Sequence, residues 1–154
     1  MIIDKYADAR EDALSYLRSR DRTSEEIRLQ LKKKDHQDPI IDEVIADLEE
    51  SGIISDSRYC ENFIQECLGK RRGRRFIKAG LENKGIDGGL IADKLEELLD
   101  RDIERENAEA EIGKLGQNGS KPPASAKIAR RLSYLGYETD LIFELVRKHN
   151  DAGD

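Results

Sequence analysis

Residues Lys70 to Ile86 read Lys-Arg-Arg-Gly-Arg-Arg-Phe-Ile-Lys-Ala-Gly-Leu-Glu-Asn-Lys-Gly-Ile. Phe76, Ile77 and Leu81 fall on one side of a helix, and Arg74, Arg75 and Lys78 occupy the rest of its circumference. Gly80 costs about 1 kcal/mol of helix propensity, so the assignment rests on the pattern and on its recurrence. Gly85 supplies a left-handed residue to end the helix, and Ile86 the side chain that folds back on its last turn. The ladder Ile77, Leu81, Ile86, Ile91, Leu95 has counterparts fifty residues earlier at Ile27, Leu31, His36, Ile41 and Ile45. Fifty-one residues later it returns as Ile128, Leu132, Tyr137, Ile142 and Val146. Apart from His36 every position is apolar or aromatic, which identifies an internal triplication.

The pattern extends outward from each ladder. A first helix over residues 5–20 carries Tyr6, Ala9, Ala13, Leu14 and Leu17 at helical spacing. Thr-Ser-Glu-Glu at 23–26 is a capping box that starts the second helix, running to about Lys34. Asp38-Pro39 opens a third as N-cap and first helical residue, with Ile40, Ile41, Val44, Ile45 and Leu48 inward. The second unit repeats this order: a helix from about Asp56, read as its cap, bearing Tyr59, Cys60, Phe63, Ile64 and Cys67, then the basic helix, and a helix capped by Asp87. The third unit begins with a very acidic helix over 102–115, followed by a flexible loop over 116–120 and by Pro122-Pro123 leading into its basic helix. Thr139 caps the last helix, with fraying expected from Asp151 onward. The fold class is therefore all-α: three tandem three-helix repeats over 5–52, 53–100 and 101–150, forming an elongated, curved array.

Composition agrees with thin helical units rather than one thick core. Hydrophobic residues are 37% and charged residues 39% of the 154, with no Trp. The net charge is −6, yet residues 23–34, 70–84 and 121–135 together carry +12, leaving −18 elsewhere. Such a molecule can present a basic surface to phosphate or to an acidic protein although the whole is acidic. Lys70, Arg71, Arg72, Arg74, Arg75 and Lys78, with Lys127, Arg130 and Arg131 of the third unit, are the candidate binding residues. Their mutual repulsion gains nothing for an isolated chain.

No catalytic or metal-binding pattern accompanies these motifs. His36 and His149 are isolated, and neither a phosphate-binding Gly loop nor a nucleophile elbow is present. Cys60 and Cys67 lie two helical turns apart, roughly 10 Å, too far for a disulfide. They read as reduced, half-buried thiols of a cytosolic protein. No apolar run reaches membrane-spanning length, and the first residues lack signal-peptide architecture. The expectation is a cytoplasmic monomer without enzymatic activity or cofactor.

Four blocks in series carry a family resemblance. They are Leu17-x-x-Arg20-x-Arg22-Thr23-x-x-Glu26-Ile27-x-x-x-Leu31, then Gly52-Ile53-Ile54-Ser55-Asp56-Ser57-Arg58-Tyr59, then Gly73-Arg74-Arg75-Phe76-Ile77 with Lys84-Gly85-Ile86, and finally Leu132-x-x-Leu135-Gly136-Tyr137. Over about Ala9 to His149 the chain resembles the RecX family of recombination regulators. The resemblance implies three tandem three-helix repeats and binding to the RecA recombinase. It further implies that the protein lies in the groove of the RecA filament on single-stranded DNA and restrains ATP hydrolysis and strand exchange. The sequence departs from the family pattern at Asp35, where Gly is frequent, at Cys60, where Ala is usual, and in the acidic helix and Gly/Pro/Ser insertion of the third unit. The competing reading is a stand-alone helix-turn-helix-like binder of single- or double-stranded DNA. Few Asn or Gln on the basic helices, and three units without two-fold symmetry, weigh against sequence-specific contacts.

Overall fold

The computed structural model of the chain describes residues 4–117 and 122–152. Among these residues there are nine helices and no strand: α1 (Lys5–Leu17), α2 (Ser24–Lys33), α3 (Asp38–Glu50), α4 (Asp56–Gly69), α5 (Arg74–Asn83), α6 (Gly88–Leu98), α7 (Arg101–Leu115), α8 (Ser125–Leu135) and α9 (Thr139–Ala152). The extensive packing runs among α1, α2 and α3, among α4, α5 and α6, and from α7 to α8 to α9. Three separate apolar cores result. The first is centred on Ile27, Leu31, Ile41 and Leu48, the second on Ile64, Ile77, Leu81 and Ile91, the third on Ile128, Leu132, Tyr137 and Leu141. The accessible surface of 9680 Å² exceeds the roughly 7,900 Å² of a compact monomer of this mass, as three small cores in a helical repeat fold require.

The fifteen ladder positions behave as one pattern. Thirteen are buried; Val146 is half-buried against the third core. His36, the one polar member, is half-buried with its Nε2 2.6 Å from the Asp12 carboxylate. Phe76, expected on the buried side beside Ile77, instead lies at the helix edge and is 41% exposed. Next to Ile77 in sequence, Phe76 is turned about 100° around α5 and away from Leu81, so that Ile77 and Leu81 enter the core and Phe76 does not.

The helix starts differ from expectation in three places, one of them α9, where Thr139 is the first helical residue and not the cap before it. In α3 the N-cap is Gln37, without a side-chain bond, and Asp38 occupies the first turn. In α4 the cap is Ser55, whose hydroxyl accepts from the Arg58 amide. Asp56, freed from capping its own helix, accepts from the Ser24 amide at 2.8 Å and from its hydroxyl at 2.7 Å, so it fastens α4 to the start of α2. The capping box of α2 forms as expected, and α9 remains helical to Ala152. The loop expected over 116–120 falls largely outside the described residues.

The three second helices stand end to end. At the start of α2, buried Thr23 accepts from the Glu26 amide and donates its hydroxyl proton to the carbonyl of Lys84 at the end of α5, 2.8 Å away. Burial works to raise the Glu26 carboxyl, but the Thr23 amide, Arg20 and Lys84 outweigh it and hold the group below its usual range. At the start of α5, the Gly73 and Arg75 amides donate to the carbonyls of Leu135 and Gly136 at the end of α8, at 2.8 and 2.9 Å. A helix leaves its first amides and last carbonyls without internal partners, and here one helix's end supplies the next one's start.

Gly73 is buried at the closest approach. Its φ of −90° suits any residue, but an added Cβ would lie 2.4 Å from the Tyr137 nitrogen and 2.5 Å from the Gly136 carbonyl carbon. Gly73→Ala is therefore expected to cost about 3 kcal/mol in urea unfolding, by overpacking of backbone on backbone. Gly52→Ala, at φ +78° with open space around it, should cost only about 1 kcal/mol of left-handed strain. Equal losses for the two variants would contradict the tight junction.

Candidate functional site

The basic residues singled out in the sequence divide into two sets. The first set turns inward. Arg71 ends α4 in the left-handed region (φ 56°), and its carbonyl accepts from the Tyr137 hydroxyl at 2.8 Å. Its guanidinium lies 4.0 Å from Glu111. Arg74 donates to Glu104 at 3.2 Å and to the carbonyl of Leu99, while its Nε lies 3.2 Å from Glu138. Arg131 reaches Glu111 at 3.6 Å.

The carboxylates that receive them come from α7. Glu104, Asn107 and Glu111 recur at the i, i+3, i+7 spacing of one helix face. Glu104 is 1% and Glu111 4% exposed, and the Asn107 amide donates to the Leu68 carbonyl at 3.2 Å. The acidic helix that looked anomalous in sequence is thus the internal counter-surface for Arg71 and Arg74. This surface lies beside the small apolar face by which Ala108 and Ile112 join α7 to the third core. For Arg71, Arg74 and Arg131 the repulsion is relieved within the chain itself, contrary to the sequence-based expectation.

The second set points outward. Arg75 and Lys78 of α5 are exposed, as are Lys127 and Arg130 of α8. The Arg75 guanidinium donates to the Tyr137 carbonyl, at 3.4 Å. Lys70 is exposed and pairs with Glu66 at i−4, a contact of little energy in water. Among the described residues, Arg72, Arg75, Lys78, Lys127 and Arg130 form no ion pair with a carboxylate. Arg72 lies over the ring of Phe76, 4.9 Å from its centroid, and 5.9 Å from the centroid of Tyr134. The head-to-tail junction of α8 and α5 sets the outward cations of the two basic helices in succession, with Arg72 and Tyr134 at the joint. Tyr134 and Phe76 were missed as surface residues in sequence; the Tyr134 spacing from Lys127 and Arg130, seven and four residues, is the signal that places all three on one face.

The remaining chemistry is quiet. Cys60 and Cys67 are buried free thiols, and burial pushes the Cys67 thiol up to about 11, away from reactivity. Burial likewise raises the Tyr137 phenol well above its ordinary value. No group of three or more metal-capable side chains occurs among the described residues, and none of their helices is long and apolar enough to cross a membrane.

Comparison with known proteins follows the same lines. A model of the RecX first three-helix domain matches residues 9–48, and one of the RecX second three-helix domain matches residues 55–95. Regulatory protein RecX of Clostridium acetobutylicum is 33% identical over 151 residues, covering 94% of this chain and 70% of that protein. Its namesake from Corynebacterium efficiens is 30% identical, covering 96% and 74%. The crystal structure of RecX from Lactobacillus salivarius superposes with a TM-score of 0.85 at 26% identity, over 98% of this chain and 99% of that one.

The inward and outward arginines should separate on truncation. Arg74→Ala leaves Glu104 buried without its main partner and is expected to lower stability by about 3 kcal/mol. Arg72→Ala should cost less than about 1 kcal/mol, the scale of an exposed cation–π contact. Chemical denaturation of the two variants beside the parent chain reads both.

Proposed function

The chain belongs to the RecX family of regulatory proteins, and we propose that it inhibits a RecA-type recombinase by lying along the groove of the filament on single-stranded DNA. The observation that carries this reading is the end-to-end junction of α8 and α5, on and beside which Arg72, Arg75, Lys78, Lys127 and Arg130 form no ion pair with a carboxylate among the described residues. A small substrate has no use for cations spread over two helices laid end to end. An extended polyanionic partner does, because each unit of its length meets another charge. The acidic remainder of the molecule would keep the protein from coating DNA indiscriminately, so that occupancy depends on the filament's own shape and surface. Bound along the groove, the protein restrains the subunit movements that accompany ATP turnover and obstructs the incoming duplex in strand exchange. Inhibition is by occupancy and involves no catalytic step.

Recombinase ATPase on single-stranded DNA, titrated with this protein, tests the reading. The parent chain should depress turnover at stoichiometric amounts. Arg72→Ala/Lys127→Ala/Arg130→Ala, which leaves the internal pairs of Arg71, Arg74 and Arg131 in place, should require roughly ten-fold more protein or greater, with a shallower salt dependence. Unchanged ATPase at saturating parent protein would contradict it.

A further inference from the structure

The junction of α5 and α8 exposes more than charge. Tyr134 is 71% and Phe76 41% exposed, each large enough to have been drawn into a core had one been within reach. They are instead held at the surface by arginines: Arg72 lies over Phe76 and beside Tyr134, and Arg131 approaches the Tyr134 ring at 5.8 Å. Arg131 is itself fixed from behind by buried Glu111. Phe76 is fixed by the backbone: a Cβ on Gly136 would lie 2.5 Å from the Phe76 Cβ, so the helix end abuts the base of this side chain. Both rings are therefore mounted on the rigid inter-unit junction and not on a loop. Arg130 and Lys127 extend the Tyr134 face along α8, one and two turns away, without carboxylate partners among the described residues.

We propose that this ledge, Phe76 and Tyr134 flanked by Arg72, Lys127 and Arg130, takes a short run of single-stranded nucleic acid, with an unstacked base on the Tyr134 ring and the neighbouring phosphates on the three cations. The inference rests on the regulatory reading above and names which polyanion the outward cations meet. Two properties of the ledge select the ligand. An acidic protein surface would satisfy the cations but offers nothing flat for two exposed rings. Duplex DNA would satisfy them too, but its base faces are already stacked on one another. Only a single strand presents phosphates and free base faces together, and a base stacked on an aromatic side chain binds with little regard to sequence. The arginines serve both parts, since a guanidinium over a ring keeps the ring oriented while its outer edge remains open to phosphate.

The test omits the recombinase. Fluorescence anisotropy of a labelled mixed-sequence 20-nucleotide strand, and of the same strand annealed to its complement, is followed at low salt with the parent chain, Tyr134→Ala and Tyr134→Phe. The single strand should bind more tightly than the duplex. Tyr134→Ala should weaken single-strand binding about ten-fold, the scale of one base–aromatic stack, and leave the slope against salt unchanged, because no charge is lost. Tyr134→Phe, which keeps the ring, should bind as the parent does. Since Tyr134 is largely exposed, thermal unfolding of the alanine variant should match the parent and so exclude misfolding. Equal affinity for strand and duplex, no detectable strand binding, or a Tyr134→Ala variant unchanged in affinity would each overturn the assignment. Displacement of the strand by polyglutamate at equal charge, with no effect of Tyr134→Ala, would assign the ledge to an acidic protein instead. Failure here with ATPase inhibition intact would overturn only the choice of ligand, and strand binding without inhibition would overturn only the regulatory role.

Discussion

The end of each second helix meets the start of the second helix in the unit before it, and this contact organises the molecule. Helix termini leave amides and carbonyls that water or a cap must satisfy. Here α8 presents the Leu135 and Gly136 carbonyls to the Gly73 and Arg75 amides, and α5 presents the Lys84 carbonyl to the Thr23 hydroxyl. The macrodipoles of the three helices run in the same sense, negative end against positive end. Because the second helices are also the basic ones, the junctions that hold the units together also set the basic helices one after another. Fold and candidate surface have the same cause.

The two junctions are built from different materials. Between the first and second units, Thr23, Ser24 and Glu26 meet Lys84 and Asp56 through hydrogen bonds and one ion pair at 3.6 Å. Between the second and third, backbone touches backbone at Gly73, and half-buried arginines paired with buried glutamates cover the flank. Charges so placed gain from each other only while every partner is present; removing one leaves another stranded in low dielectric. The third unit thus sits against the second through paired charge where the other helices use apolar stripes. The acidity of α7 and the excess of arginine near Gly73 are two halves of one contact, and what the contact leaves over is what faces outward.

Local signals in the sequence carried the fold. The ladder repeated at fifty and fifty-one residues located the cores, down to His36 as the one polar rung, and the capping box at Thr23 and the left-handed Gly85 set helix ends correctly. What stayed hidden depended on partners far along the chain. Asp56 looked like a cap because a carboxylate at a helix start usually is one, yet its acceptor capacity is taken by Ser24 thirty-two residues away. Arg71 and Arg74 looked like surface charge because their carboxylates lie 40 and 30 residues further on, in a helix whose acidity read as solvation. Phe76 looked buried because helical spacing cannot tell the centre of an apolar face from its edge. Charge counts identify a basic helix; only packing decides which of its arginines remain available.

The central claim is that the basic helices form one continuous row fixed at its joints. Double electron–electron resonance between spin labels at the exposed positions 29 on α2 and 130 on α8 measures that row directly. At 1.5 Å of rise per residue, with α5 intact between the labelled helices, the account predicts one narrow distance distribution beyond about 30 Å. A broad distribution, or a substantial population at shorter distances, would mean that the helices are not held end to end, and would contradict it.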